Sequence, residues 1–125
     1  GSMSDNEATI IFKELPKRQV LTSQHACLEV VEGPQAGKRF ELRERTEVVG
    51  RGSESTIKLK AGRISRVHAE IAWINQEHVI RDLNSTNGTW VDGVDVYECV
   101  LVEGDTIVLG DHVLVFTHDR VRQLR

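Results

Sequence analysis

The chain has 125 residues, 16 basic and 19 acidic, and a formal net charge of -3 at pH 7. This length fits one compact domain, and an apolar content of 39% supplies a core without disulfide staples. No apolar run approaches the ~20 residues that span a bilayer, and no secretory signal opens the chain, so we expect a cytoplasmic protein without membrane contact. The mildly acidic total argues against a general nucleic-acid binder.

The two ends of the chain differ in texture from its middle. Residues 1–3 look like a cloning scar followed by a start methionine. Residues 4–24 are polar apart from one short apolar patch and show no periodicity, which predicts an N-terminal tail. Residues 119–125 are polar and basic, which predicts a C-terminal linker or the start of a helix or of a further region. The folded domain is therefore predicted at residues 25–118.

The middle of the chain alternates short runs rich in Val, Ile and Thr with clusters of Gly, Asn, Asp and Ser, a pattern typical of all-β proteins. The predicted strands, in chain order, are Ala26–Val31, Arg39–Leu42, Glu47–Val49, Ile57–Leu59, His68–Ile74, His78–Asp82, Thr89–Val91, Asp105–Leu109 and His112–His118. The turns between them hold residues that accept positive φ angles, such as Asn87-Gly88 and Asp92-Gly93. No stretch carries an apolar stripe at helical spacing, so an all-β sandwich of mostly antiparallel strands is the predicted fold.

The chain contains cysteine, histidine, serine and aspartate residues, but they lack the spacing that disulfide, metal or catalytic sites require. Cys27 and Cys99 fit no disulfide framework or zinc site, and we expect both to be small buried apolar residues. The five histidines lack metal-ligand spacing, so no metal and no cofactor are expected. Ser65, His68 and Asp82 have the residue types of a hydrolase triad, but no nucleophile-elbow sequence surrounds the serine. We therefore predict that the chain is not an enzyme.

Positive charge is concentrated in one segment, residues 51–66. It holds five basic residues and one acidic residue, a local charge of +4, so the rest of the chain carries -7. The basic residues are Arg51, Lys58, Lys60, Arg63 and Arg66. A guanidinium group beside a hydroxyl and free backbone N–H groups suits a phosphate dianion, and loops at one end of a sandwich commonly carry binding residues. A solvated charged face explains the same composition, so both interpretations stay open.

Four separated blocks resemble the signature blocks of forkhead-associated (FHA) domains. They are Gly50-Arg51, Ser65-Arg66-Val67-His68-Ala69, residues 82–93 and residues 101–110. The blocks stand in the family's order and cover most of the chain between the two tails, as in bacterial FHA signalling modules. The resemblance implies an FHA-type β-sandwich of about eleven short strands, whose loops at one end bind phosphothreonine peptides.

The resemblance also implies a role for individual residues. The phosphopeptide contacts would be Arg51, Ser65, Arg66, Thr86 and Asn87. Of these, the first three would contact the phosphate, the threonine would line the pocket and the asparagine would bond the peptide backbone. Structural support would come from Gly50, His68 and Gly88. Arg63 is the candidate specificity residue, because its loop often reads the third residue after the phosphothreonine and an arginine favours an acid there.

The implied function is a signalling recruitment or switch module that binds a phosphothreonine-containing protein downstream of a Ser/Thr kinase. The alternative is an FHA-fold interaction or oligomerisation module that works without phosphate and regulates an attached output domain.

Thr9 in the tail is a candidate phosphosite. It follows Asp5 and Glu7 and precedes an apolar triplet that ends at Phe12. Similar threonine motifs occur in bacterial FHA proteins whose phosphorylated tail folds back onto their own pocket. Tethering would hold such a ligand near its site at roughly mM effective concentration. Phe12 departs from the acid that Arg63 favours, and a disordered leader or an added edge strand is the alternative for this segment.

Overall fold

In the computed structural model, the described residues are 20–60 and 62–123, and side chains are described for 25–60 and 62–119. The candidate phosphosite Thr9 and most of the predicted tail lie outside the described residues. Residues Ala26–His118 form one compact unit. The chain on either side of it belongs to a second unit, of which residues 20–25 and 119–123 are described.

Eleven strands occupy the described part of the chain. In chain order they are β1 (Val20–Glu32), β2 (Arg39–Leu42), β3 (Glu47–Gly50), β4 (Ile57–Lys58), β5 (Ala69–Ile74), β6 (Glu77–Asp82), β7 (Trp90–Val91), β8 (Val94–Asp95), β9 (Glu98–Val100), β10 (Thr106–Leu109) and β11 (His112–Gln123). No helix is found among these residues, and hence no helix there that could cross a membrane.

The strands form two sheets. One has five strands in the order β9-β6-β5-β3-β4, and the other has six in the order β2-β1-β11-β10-β7-β8. β3 and β4 pair in parallel, and the other pairs whose register is defined are antiparallel. The antiparallel register places Val49 of β3 opposite Ala69 of β5, which in turn lies opposite Asp82 of β6. The end of β3, the start of β5 and the end of β6 therefore lie together at one end of the five-stranded sheet.

Both sheets contribute to one apolar core. Ile71 and Ile80 come from the five-stranded sheet, and Leu28, Leu114 and Phe116 come from the six-stranded sheet, all at 1% exposure or less. Successive side chains of a strand point to opposite faces, so each strand supplies alternate residues to this layer. Full burial of one such side chain stabilises the fold by about 1.5–3 kcal/mol, which explains a sandwich held without disulfides.

The all-β, mostly antiparallel prediction is confirmed, and each predicted run contains a strand. β8 and β9 were not predicted, because they are only two and three residues long, lie at sheet edges and are largely exposed, so they show no alternation. Strand structure also runs beyond the predicted bounds, from Val20 and as far as Gln123. The helix alternative for residues 119–125 is wrong for its described part, because sheet pairing rather than local composition decides how far β11 extends.

The two cysteines differ in burial. Cys27 is buried, as expected, whereas Cys99 is only partly buried and packs against the edge of the core. Burial, followed by the negative charges of Asp105 and Asp92, raises the pKa of the Cys99 thiol above its ordinary value. The prediction of a small buried apolar residue therefore holds for Cys27 and only in part for Cys99.

Candidate functional site

Loops at this end of the five-stranded sheet line a cavity of about 370 Å³ that opens to solvent. These loops follow β3, precede β5 and follow β6. The cavity is lined by Arg51, Gly62, Arg63, Ile64, Ser65, Arg66, Thr86 and Asn87. The structure therefore brings all five residues assigned as phosphopeptide contacts to one cavity, together with the candidate specificity residue Arg63.

The end of β3 is packed directly against the backbone of Arg66. Gly50 is buried there, and a Cβ at this position would overlap the Arg66 carbonyl group. The same carbonyl oxygen accepts hydrogen bonds from the Gly52 N–H at 3.0 Å and from the Ser55 hydroxyl at 2.9 Å. This close approach requires glycine at position 50 and holds the first loop against the second.

Arg51 is joined to the second loop through both its backbone and its side chain. Its N–H donates to the Ser65 carbonyl at 3.1 Å, and its Nε donates to the Ile64 carbonyl at 2.8 Å. Arginine carries its remaining side-chain donors on Nη1 and Nη2. The side-chain hydrogen bond found among the described residues uses only Nε, so Nη1 and Nη2 can donate to an anion in the cavity.

His68 connects the loops from beneath the cavity. It has no solvent exposure, its Nδ1 accepts from the Ser65 N–H at 3.1 Å, and its Nε2 donates to the Gly88 carbonyl at 2.8 Å. These partners select the neutral tautomer with its proton on Nε2. The Thr86 N–H donates to Ser65 Oγ at 3.1 Å, so the serine hydroxyl accepts from the protein and can donate its proton to a ligand.

The loop after β6 is ordered by the carboxylate of Asp82. This group accepts from the Ser85 N–H at 3.1 Å, the Ser85 hydroxyl at 2.6 Å and the Thr89 hydroxyl at 2.7 Å. Burial raises the pKa of Asp82, but the hydrogen bonds from Ser85 and Thr89 outweigh burial and leave the pKa below its ordinary value. The loop therefore presents Thr86 and Asn87 from an internally bonded turn.

Asn87 ties this loop to the neighbouring one. The Asn87 side chain donates from Nδ2 to the Arg63 backbone carbonyl at 3.0 Å. The Asn87 backbone carbonyl accepts from Trp90 Nε1 at 3.1 Å. Within the part of the chain that the structure describes, no hydrogen bond uses Asn87 Oδ1, which can accept from a backbone N–H of a ligand. Gly88, next in the chain, has a φ of 88°, a conformation that favours glycine.

Basic side chains contribute to the lining of the cavity. Three of the five basic residues in segment 51–66 line it, Arg51, Arg63 and Arg66, whereas Lys58 and Lys60 do not. Guanidinium groups, a hydroxyl and a carboxamide therefore converge on a space large enough for a small anionic group. This arrangement can bind a phosphate and the chain that bears it.

The residue types of a hydrolase triad do not form one. Both nitrogens of His68 are bonded to backbone groups, and Ser65 Oγ is bonded to the Thr86 N–H. The described hydrogen bonds of the Asp82 carboxylate come from Ser85 and Thr89 rather than from the histidine. Within the described residues, the serine therefore has no base in position to activate it.

Some residues of the site were not predicted from sequence. Gly62 and Ile64 line the cavity on either side of Arg63, and their place next to that assigned residue was the available signal. No site role was assigned to Trp90, yet its indole N–H donates to the Asn87 backbone carbonyl. Asp111 Oδ1 lies 3.9 Å from Arg63 Nε, a contact that no local sequence pattern predicts.

Comparison with known proteins identifies the family. The family model described as FHA domain matches residues 47–110. The chain is 40% identical over 80 residues to the FHA domain-containing protein FhaA of Mycobacterium tuberculosis, covering 64% of this chain and 15% of FhaA. It is 41% identical over 96 residues to the glycogen accumulation regulator GarA of Mycolicibacterium smegmatis, covering 77% of this chain and 61% of GarA. The chain thus spans less than two thirds of either relative.

A third relative and two solved structures agree. The oxoglutarate dehydrogenase inhibitor of Corynebacterium jeikeium is 35% identical over an alignment 137 positions long, which covers 91% of this chain and 95% of the relative. A structure from work on phosphothreonine-dependent FHA domain interactions is 35% identical, with a TM-score of 0.68 over 74% of this chain and 95% of that one. The FhaA FHA domain, complexed with the intracellular domain of Rv3910, is 36% identical, with a TM-score of 0.67 over 73% and 98%. The chain belongs to the FHA domain family.

Proposed function

We propose that this module binds phosphothreonine-containing protein segments in the cavity between its loops and catalyses no reaction. The observation that carries the proposal is the convergence of Arg51, Ser65, Arg66, Thr86 and Asn87 on one cavity. A phosphothreonine side chain carries about -1.5 to -2 charges at pH 7 and has three strong acceptor oxygens. Without the phosphate, the donors of the cavity would lose this partner.

Each contact has a distinct task in the proposed complex. The Nη groups of Arg51 and the guanidinium of Arg66 bind phosphate oxygens, and the Ser65 hydroxyl donates to a third. Thr86 lines the wall beside the phosphorylated residue, and Asn87 Oδ1 accepts a backbone N–H of the peptide. Charge-assisted hydrogen bonds of this kind are each worth about 1.5–3 kcal/mol.

The comparisons support a protein partner and a regulatory setting. One structural relative comes from a study of phosphothreonine-dependent interactions, and another is bound to the intracellular domain of a second protein. Two sequence relatives are named as a regulator and as an inhibitor. In this proposal the module acts in the cytoplasm, downstream of a Ser/Thr kinase. Three arginines around one cavity favour this over an interaction that works without phosphate.

Calorimetry with matched threonine and phosphothreonine peptides tests the proposal. Wild-type protein should bind only the phosphorylated peptide, and Arg51→Ala should weaken binding roughly tenfold to a hundredfold, because it removes charge-assisted bonds. Lys58→Ala is the matched control, since Lys58 is an exposed cation of the same segment that does not line the cavity. Equal binding of both peptides, or equal effects of the two substitutions, would contradict the proposal.

A finer proposal is that phosphorylated Thr9 is a ligand of the same cavity. Its support is the sequence context, with acidic residues before the threonine and an apolar triplet after it. Amide chemical shifts of Arg51, Ser65 and Asn87 should move when Thr9 is phosphorylated, and the shifts should not depend on protein concentration. Thr9→Val, treated with the same kinase, is the control. Unchanged shifts at these three amides would exclude binding of the tail.

A further inference from the structure

The three arginines of the cavity differ in their counter-ions. Arg51 is bonded through Nε to a backbone carbonyl, whereas each of the other two faces a carboxylate. Arg66 Nη2 lies 3.5 Å from Glu54 Oε1, and Arg63 Nε lies 3.9 Å from Asp111 Oδ1. Part of the positive charge offered to a ligand is therefore already compensated by the protein.

Glu54 belongs to the loop that carries Arg51 and lies close over its backbone. A Cβ added to Gly52 would overlap Glu54 Oε1, so the carboxylate lies against this buried glycine. The Gly52 N–H is in turn bonded to the Arg66 carbonyl at 3.0 Å. The Glu54 carboxylate therefore lies beside both the Gly52 backbone and the Arg66 side chain.

The geometry of the Arg66–Glu54 pair indicates that Glu54 acts on a ligand through its negative charge more than by positioning the Arg66 side chain. A nitrogen–oxygen distance of 3.5 Å is long for a charge-assisted hydrogen bond, and the Arg66 and Glu54 side chains are 58% and 54% exposed. Exposed pairs of this kind restrain their partners weakly. A phosphate bound to Arg66 would still lie within a Debye length of the Glu54 carboxylate, about 8 Å at physiological salt, and would be repelled by it.

We propose that Glu54 attenuates the affinity of the cavity for phosphopeptides, an inference that rests on the proposed function. Its carboxylate competes with phosphate for the Arg66 guanidinium and lowers the positive potential at the cavity. Recognition then depends more on the fixed donors of Arg51 and Ser65 than on net charge. Anions that lack phosphate geometry gain correspondingly less from this surface.

Glu54→Gln tests this role, because it removes the charge and keeps the size of the side chain. The variant should bind a phosphothreonine peptide about threefold to tenfold more tightly at low ionic strength. This gain in affinity should largely disappear near 1 M salt, where the Debye length falls to about 3 Å. It should also be smaller in an Arg66→Gln background, because part of the effect is competition for that guanidinium.

Glu77→Gln is the matched control. It removes the same charge at the start of β6, roughly 15–20 Å of strand away from the end of β6 that joins the cavity loops. This control should bind as wild type does. Unchanged or weaker binding by Glu54→Gln, a gain that persists at high salt, or an equal gain from Glu77→Gln would overturn the role of Glu54. If wild-type protein binds no phosphopeptide, the proposed function fails and this role fails with it; if wild type binds, only the role of Glu54 is at stake.

Discussion

Replacing His68 with phenylalanine should destabilise the fold and weaken binding together. Phenylalanine preserves most of the buried ring volume but removes both hydrogen bonds, those to the Ser65 N–H and the Gly88 carbonyl. A buried polar group left without its partner costs about 1–3 kcal/mol. Ser65 and Gly88 are only partly buried, so water can reach them and the lower part of the range applies, about 2–3 kcal/mol in total. Urea unfolding should show this loss of unfolding free energy. Thermal unfolding should show a fall of roughly 10–20 °C in melting temperature.

His112 provides the comparison that tests this hydrogen-bond account. It is as fully buried as His68, but its Nε2 has one bond, to the Lys60 carbonyl at 2.9 Å, and its Nδ1 has no hydrogen-bond partner in the described structure. His112→Phe also removes a buried unpaired acceptor, so its cost should be about 1 kcal/mol or less. Equal losses of stability in the two variants would refute the reasoning. So would a His68→Phe protein that is as stable as wild type.

Two other perturbations have defined outcomes. Gly50→Ala should cost about 1–3 kcal/mol of unfolding free energy, because the added methyl group overlaps the Arg66 carbonyl, and a loss below 0.5 kcal/mol would show that the loops yield easily. The lowered pKa of Asp82 contributes stability that is present above the ordinary aspartate pKa of about 3.9 and is lost as the pH falls through the lower folded value. Asp82→Asn should therefore flatten the acid limb of stability measured by urea unfolding below about pH 4, and an unchanged acid limb would contradict this assignment.

Most of the architecture could be predicted from local pattern. Alternating apolar residues and turn chemistry indicate strands wherever a strand is long enough to show a period, as in β5 and β6. β8 and β9 could not be found in this way, because two or three largely exposed residues carry no period. Their pairing is decided by the neighbours that the rest of the fold brings beside them.

The candidate site was also predictable only in part. The resemblance of short blocks to a family pointed to Arg51, Ser65 and Asn87, which lie in separate segments, and the structure places them around one cavity. The hydrogen bonds that aim these residues were not predictable, since each depends on the distance between two loops. The bonds from Arg51 to Ile64 and from Asn87 to Arg63 are of this kind.

By itself, the sequence determined the all-β class and the location of a basic segment that lies mostly in loops, because strand periodicity, turn residues and charge are properties of neighbouring positions. Only the tertiary structure decided how that charge is used. It directs Arg51, Arg63 and Arg66 to the cavity, leaves Lys58 and Lys60 outside it, and sets Glu54 and Asp111 against two of the three arginines. Electrostatic interaction depends on separation in space, and separation is set by the packing of the two sheets.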